Sequence, residues 1–419
     1  MQNTSRRDFL KASSLAAAGT ALLSVNEGAH AAASDTLKIA LIGCGGRGTG
    51  AAYDNLNGCE GTKIIAVADA FEDNAKNTAD RLRKDKADRV DLPEDRVFWG
   101  FDAYEKAIAC DCDMVIMATP PGFRPIHYAA AIKAGKHVFM EKPCCVDAPG
   151  YRSLQETNKL ADAKGLKVGV GLQRHHQGGY INGISEIKDG KWGDILYQRV
   201  YWNGGGVWTR PRREGMTEME YQMRNWYYFV WLCGDHIVEQ HVHNLDIANW
   251  VKDDHPVEAN GLGGRQVRTG KEHGEIYDHF FCEFTYKDGT KTFSQCRHQG
   301  NAWSIVDEYA HGTKGGGRVS SGNVDLKHGN PYVQEHYDLV NAIRANEKFN
   351  EGYIGATSTF TAVLGRMATY SGQVIKWDDA VAKGPNLMPE KFDFAAEPPV
   401  LPNADGFYPI AMPGQTPAF

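Results

Sequence analysis

The chain has 419 residues, with 46 Lys and Arg against 52 Asp and Glu, a formal charge of −6. Hydrophobic residues at 42% and charged ones at 23% sit close to globular averages, which excludes wholesale disorder and a purely fibrous chain. The mild acidity leaves no basic stripe for nucleic acid, and 9 scattered cysteines outline no small disulfide scaffold.

Residues 1–33 read as an address. Ser5-Arg6-Arg7-Asp8-Phe9-Leu10-Lys11 is a twin-arginine pattern, an apolar run follows from Ala12 to Val25, and Ala29-His30-Ala31 offers a small-residue cleavage site. The segment predicts recognition by the twin-arginine translocase and a periplasmic or otherwise exported protein. Nothing later resembles a membrane span.

Residues 36–173 alternate apolar strands with helices. The run 37–42 leads directly into Gly43-Cys44-Gly45-Gly46-Arg47-Gly48, a G-x-G-x-x-G pattern, and a second strand at 63–68 ends in Asp69. Gly43 suits a tight turn, Gly45 and Gly46 a close backbone approach to a pyrophosphate, and Gly48 close helix-strand packing. Asp69 would accept hydrogen bonds from the adenosine ribose and repel a 2′-phosphate, so NAD is favoured over NADP. Strands at 113–118, 137–140 and 167–171, with helices at 126–134 and 148–163, complete the pattern of a doubly wound α/β parallel sheet. Such sheets bind ligands at the carboxyl ends of their strands, where Thr119-Pro120-Pro121 and Glu141-Lys142-Pro143 stand.

From 174 to 376 the pattern turns β-rich, with strands at 196–201, 257–261, 277–286, 290–296 and 304–309 and helices at 333–345 and 357–375. Two aromatic and basic stretches, 201–213 and 224–231, combine apolar walls with polar groups, as sugar pockets do. Arg210, Trp226 and Tyr227 are substrate candidates there, while Trp202, Phe229 and Trp231 read as core. The segment 234–250 reads as one helix on which Glu239 and His243, four apart, share a face, with His236 and Asp246 on the same arc. Oxidation of an alcohol requires the hydroxyl proton to leave as the C–H bond breaks, and a neutral imidazole suits that task, which makes His243 the general base. His236, Glu239 and His243 could reach one metal ion, whereas His241 and His243 lie roughly 200° apart around a helix. No metal is assigned, because a nicotinamide supplies the redox chemistry. The glycine-rich run 312–317 lacks the spacing of a phosphate loop and reads as a turn. The tail from 377 to 419 holds 8 of the 17 prolines and reads as an extended arm over this or a neighbouring subunit.

Three blocks taken together resemble the glucose-fructose oxidoreductase, inositol dehydrogenase and MocA family: the glycine loop, Ala118-Thr119-Pro120 with His127 following, and Ala134-Gly135-Lys136-His137-Val138-Phe139-Met140-Glu141-Lys142-Pro143. The resemblance spans about 37 to 377. It implies an N-terminal Rossmann domain and a C-terminal α/β domain whose mostly antiparallel sheet carries the substrate and often joins subunits into homo-oligomers. It implies that Lys142 lies beside the nicotinamide and polarises the reacting hydroxyl, with Arg47, Thr119, Pro120, His127 and Glu141 around the cofactor. The family usually pairs an aspartate with the histidine four residues on, so Glu239 departs from its pattern, and its role stays open between orienting partner and direct proton carrier. Arg174 and His176 follow the last parallel strand, where the family places substrate contacts. The expected activity is an NAD-dependent oxidation of a sugar, polyol or glycoside hydroxyl with tightly held NAD. Redox-neutral glycoside cleavage through oxidation, elimination and re-reduction is the alternative, and a non-catalytic sugar-binding protein on the same fold a third.

Overall fold

The computed structural model describes residues 36–419, so the export reading of the first 33 residues lies outside the described residues. The first half is built on β1 (Leu37–Ile42), α1 (Gly46–Gly58), β2 (Thr62–Asp69), α2 (Glu72–Asp85), β3 (Val97–Trp99), α3 (Ala103–Ala109), β4 (Met114–Met117), α4 (Arg124–Lys133), β5 (His137–Met140), α5 (Ala148–Ala163) and β6 (Val168–Val170). The six strands are parallel in the order β3-β2-β1-β4-β5-β6. Every residue of β4 is 0% exposed, as expected of a parallel strand with helices over both faces. The strand order reverses between β1 and β4, which opens a crevice at their carboxyl ends. β3 and α3 are absent from the sequence reading, since three residues ending in the exposed Trp99 carry no readable period.

The second half contains α6 (Gly178–Lys188), β7 (Ile195–Gly204), α7 (Glu218–Arg224), α8 (Val230–Cys233), α9 (His236–Glu239), α10 (Val242–Lys252), β8 (Glu258–Gly264), β9 (His279–Thr285), β10 (Lys291–His298), β11 (Ile305–Gly312) and β12 (Gly315–Arg318). α11 (Pro331–Ala345), α12 (Gly352–Ser371), β13 (Ile375–Lys376) and α13 (Trp377–Lys383) follow. The seven strands run β12-β11-β7-β10-β9-β8-β13, antiparallel except for the β7-β10 pair. The 312–317 glycines form the β11-β12 hairpin. The tail opens with α13 before becoming extended, and it lies on its own chain, with Phe392, Phe394, Val400 and Tyr408 against a cluster of buried aromatics. Among the described residues, no helix is long and apolar enough to cross a membrane.

One expected helix is two. α9 stops at Glu239 and α10 starts at Val242, with the His241 amide reaching back to the His236 carbonyl at 3.3 Å and the His243 amide to that of Gln240 at 3.3 Å. The cause is tertiary: the buried His241 ring is fixed by Ser294 Oγ at 2.7 Å and Asn244 Oδ1 at 3.1 Å. Glu239 and His243 therefore sit on separate helices. Asp246 leaves the supposed arc altogether, bonding His175 at 2.9 Å and Ser358 at 2.8 Å.

The glycine turn depends on two contacts. Gly43 has φ +96°, and a Cβ there would press on the Ala118 and Thr119 backbone at 2.6 Å, while a Cβ on Gly48 would collide with the Gly43 carbonyl. Gly48→Val is expected to destabilise the fold by about 1–3 kcal/mol through overpacking, whereas Gly46→Ala, whose Cβ meets open space, leaves the denaturation midpoint near wild type. Equilibrium denaturation of the two variants checks this.

Candidate active site

The crevice between β1 and β4 is a cavity of about 720 Å³ lined by Gly43, Gly45, Gly46, Arg47, Asp69, Asn74, Thr119, Pro120 and His127 among others. Nothing lies within 4 Å of a Cβ placed on Gly45 or Gly46, so the turn leaves room for a ligand at the free amides that begin α1. Asp69 accepts from the Cys44 amide at 2.7 Å, the Phe71 amide at 2.9 Å and Asn74 Nδ2 at 3.2 Å. Burial raises its pKa against those bonds. One acceptor position of its roughly four remains for a ribose hydroxyl. His127 bonds Thr119 Oγ1 at 3.2 Å and stacks on Tyr104 at 4.2 Å. Burial and the Arg124 charge push its pKa down to about 3, so the ring is neutral. The residues present fit a dinucleotide: open glycines, a helix N-terminus, and an acid at the end of the second strand.

Beyond Pro120 and His127, at the end of the neighbouring strand β5, Lys142 crosses to the second half. Its Nζ donates to the Glu239 carbonyl at 2.6 Å and stands 3.5 Å from Glu239 Oε1, across a seam where both side chains are mostly buried. The Lys142–Pro143 peptide is cis. Burial, opposed by Lys142, pushes the Glu239 carboxyl up to about 7. His243 stacks on Trp202 at 5.8 Å, and burial together with the charges of Lys142 and Arg174 holds its pKa well below the usual imidazole range. Glu239 Oε2 and His243 Nδ1 are buried without a protein partner, as atoms facing a ligand position would be.

Other sequence candidates are placed differently. Glu141 binds Arg47 Nε at 2.5 Å and so fastens the glycine loop to the Lys142 turn rather than lining the cavity. Arg174 is spent on a buried ion pair with Glu308, and His176 lies between Asp338 at 2.6 Å and Glu351 at 2.9 Å. Burial works against protonating His176, but the two acids outweigh it and hold its pKa at about 10. Neither side chain is left open for a substrate. Arg210 and Trp226 line the dinucleotide cavity, because the loop after β7 and the turn after α7 both fold back over the first half. Tyr227 is buried with its hydroxyl 3.4 Å from His298 Nε2. His236 turns to Asp235 at 2.8 Å and lies 4.3 Å from the His298 ring, so His236, Glu239 and His243 do not converge as a metal set.

Four contributors were not named as site residues from the sequence, although two of them lie in the 201–213 stretch. Arg124, 1% exposed, donates to the Met117 and Pro143 carbonyls and braces the Lys142 turn from beneath. His298, held by Gln240 Oε1 at 3.0 Å, comes from β10, far along the chain from that turn. Trp208 and Arg213 join the cavity wall.

Residues 37–172 match the family model described as oxidoreductase family, NAD-binding Rossmann fold (GFO_IDH_MocA). A glycosyl hydrolase family 109 protein of Solibacter usitatus is 34% identical over 182 residues, covering 42% of this chain and 38% of that one. An inositol 2-dehydrogenase of Acidothermus cellulolyticus is 25% identical over 243 residues, covering 58% and 61%. The chain thus spans less than two thirds of the length of either relative. The scyllo-inositol dehydrogenase of Lactobacillus casei, solved with bound NAD(H) and scyllo-inositol, superposes with a TM-score of 0.64 at 19% identity, over 81% of this chain and 99% of that one. Its likeness extends the shared fold through the second sheet. The match is confined to residues 37–172, which build the six-stranded parallel sheet and carry the NAD-binding Rossmann pattern that the family model describes.

Proposed function

We propose that the protein is an NAD-dependent oxidoreductase acting on a secondary hydroxyl of a sugar, polyol or glycoside, with NAD retained through turnover. The observation that carries this reading is the Lys142–Glu239 pair at the end of β5, one strand beyond the dinucleotide cavity. The names of the relatives, inositol dehydrogenases and a glycosyl hydrolase, support a polyhydroxylated substrate. Retention fits a cavity walled by both halves of the chain and the twin-arginine export expected of the N-terminus, since no NAD pool is maintained outside the cytoplasm.

Bound NAD would supply the hydride acceptor, held by the glycine loop and Asp69. The chain's own task is then to hold the substrate hydroxyl and take its proton. Lys142 has three donors, of which the Glu239 carbonyl and, at 3.5 Å, Oε1 take two, leaving one for the reacting oxygen as negative charge grows there. Glu239 Oε2 is an unpaired acceptor whose pKa near 7 suits a proton taken up at neutral pH. His243, neutral and with Nδ1 unpartnered, accepts a hydrogen bond and orients the substrate, so the base role assigned from sequence moves to Glu239. Redox-neutral glycoside cleavage is the second reading, favoured by the family 109 relative; it predicts aglycone release without added NAD.

A panel of sugars and polyols added to purified protein, followed at the nicotinamide absorbance band, tests the main reading. Reduction of bound NAD by at least one of them is expected, and Lys142→Ala should slow it by roughly two to four orders of magnitude while NAD stays bound. A protein whose denatured extract contains no nicotinamide nucleotide by mass spectrometry overturns the reading.

Glu239 must be ionised to accept a proton, and its raised pKa keeps it protonated below neutrality. Single-turnover reduction should therefore rise with pH through about 7, and Glu239→Gln should lose that rise along with most of the rate.

Arg210 and Arg213 face the same cavity as Asp69. Asp69→Ala is expected to weaken NAD and to improve NADP relative to NAD by about tenfold or more, because a 2′-phosphate would meet guanidinium instead of carboxylate. Titration of both nucleotides into stripped protein reads the ratio directly.

A further inference from the structure

We infer that the second half of the chain builds a clasp over the adenosine end of the dinucleotide cavity, and that NAD exchanges only when this clasp opens. The inference rests on the reading of that cavity as an NAD site and adds the device that retains the cofactor. The loop between β7 and α7 returns across the first half, placing Trp208, Arg210 and Arg213 in the same cavity wall as Asp69 and Asn74. Arg210 lies over the Trp208 ring at 4.9 Å, and its amide is fixed by Asn225 Oδ1 at 2.8 Å. The adenosine half is thus roofed by groups from outside the Rossmann sheet.

Two fastenings hold the roof. Arg224, at the end of α7, donates through both terminal nitrogens to the two oxygens of Asp73 at 3.1 and 3.3 Å, and its guanidinium covers the Phe71 ring at 3.9 Å. Asp73 stands in the first turn of α2, four residues after Asp69, so this fork closes beside the ribose position. Its partners are partly exposed, and such a pair alone contributes little. The C-terminal arm supplies the second fastening. Phe394 sits 5.3 Å from Phe71 and 4.7 Å from Phe101, while its carbonyl accepts from Thr217 Oγ1 at 2.6 Å. Further along, the Val400 carbonyl accepts from Gln222 at 2.7 Å and the Tyr408 hydroxyl donates to Glu218 at 2.5 Å. The arm is therefore bonded to α7 on one side and stacked on the Rossmann aromatics on the other, a bridge that must part before the roof can lift.

A clasp of this kind acts on the exchange rate. Holoprotein as purified is diluted into excess ADP-ribose, and released NAD is measured over time after rapid filtration. Arg224→Met and Phe394→Ala should release NAD about tenfold faster or more than wild type, since weakened contacts of this kind appear mainly in the dissociation rate. Lys314→Ala, in the β11-β12 turn, should release it at the wild-type rate. Wild-type release by both clasp variants overturns the clasp and leaves the NAD reading standing, whereas a wild-type protein carrying no NAD overturns both. Should either variant fold poorly, limited proteolysis of the wild-type chain decides: ADP-ribose added to stripped protein should protect residues 384–407 from cleavage, and unchanged cleavage there overturns the clasp.

Discussion

A lysine and a glutamate that meet across the seam between the two sheets fix the geometry of the site. Lys142 belongs to the turn after β5 and Glu239 to the last residue of α9, so their contact sets how the second half approaches the ends of the parallel strands. Burying two charges costs desolvation that their attraction recovers only when the remaining valences are filled. Here they are left in part unfilled, with Glu239 Oε2 and His243 Nδ1 both unpartnered. The pair is better understood as positioning a site that a ligand completes than as a source of stability. Around it, other cross-links repeat the theme: Arg47 reaches both Glu141 of the Lys142 turn and, at 3.9 Å, Glu335 of α11, so the glycine loop, the Lys142 turn and a late helix are tied through one guanidinium.

The cofactor half was legible because backbone geometry there dictates residue type. Gly43 needs a positive φ, Gly48 has no room for a Cβ, and Asp69 must end the second strand, so the pattern in the chain is a direct image of the fold. The acid-base segment was less so. Periodicity over 234–250 is satisfied by one helix, but Asp235 takes φ +74° and His241 is drawn to Ser294, contacts that no local pattern encodes. Arg174 and His176 failed for the same reason: Glu308, Asp338 and Glu351 lie far along the chain, and a polar residue after a parallel strand looks alike whether it meets a substrate or a buried acid.

The aromatic and basic loop is a subtler case. Its composition led to Arg210 and Trp226 as sugar contacts, and both line the cavity that also holds Asp69. Adenosine and a sugar, however, ask for the same residue types, a planar apolar surface edged by guanidinium. Which ligand the loop meets depends on where it folds, and that is decided by Arg224 finding Asp73 and by the arm finding Phe71 and Phe101.

The same physical effect sorts the proton chemistry. Burial disfavours whichever form of a group is charged, so it raises a carboxyl and lowers an imidazole. Each buried, Glu239 and His243 are pushed in opposite directions from ordinary values that differ by only about 2 units. Lys142 moderates the first shift, since it favours carboxylate, and deepens the second, since it repels imidazolium. The carboxyl ends up with the higher proton affinity of the two, an inversion of their order in water. Under the proposed reaction, that order favours proton uptake at the glutamate and leaves a hydrogen-bonding role to the histidine.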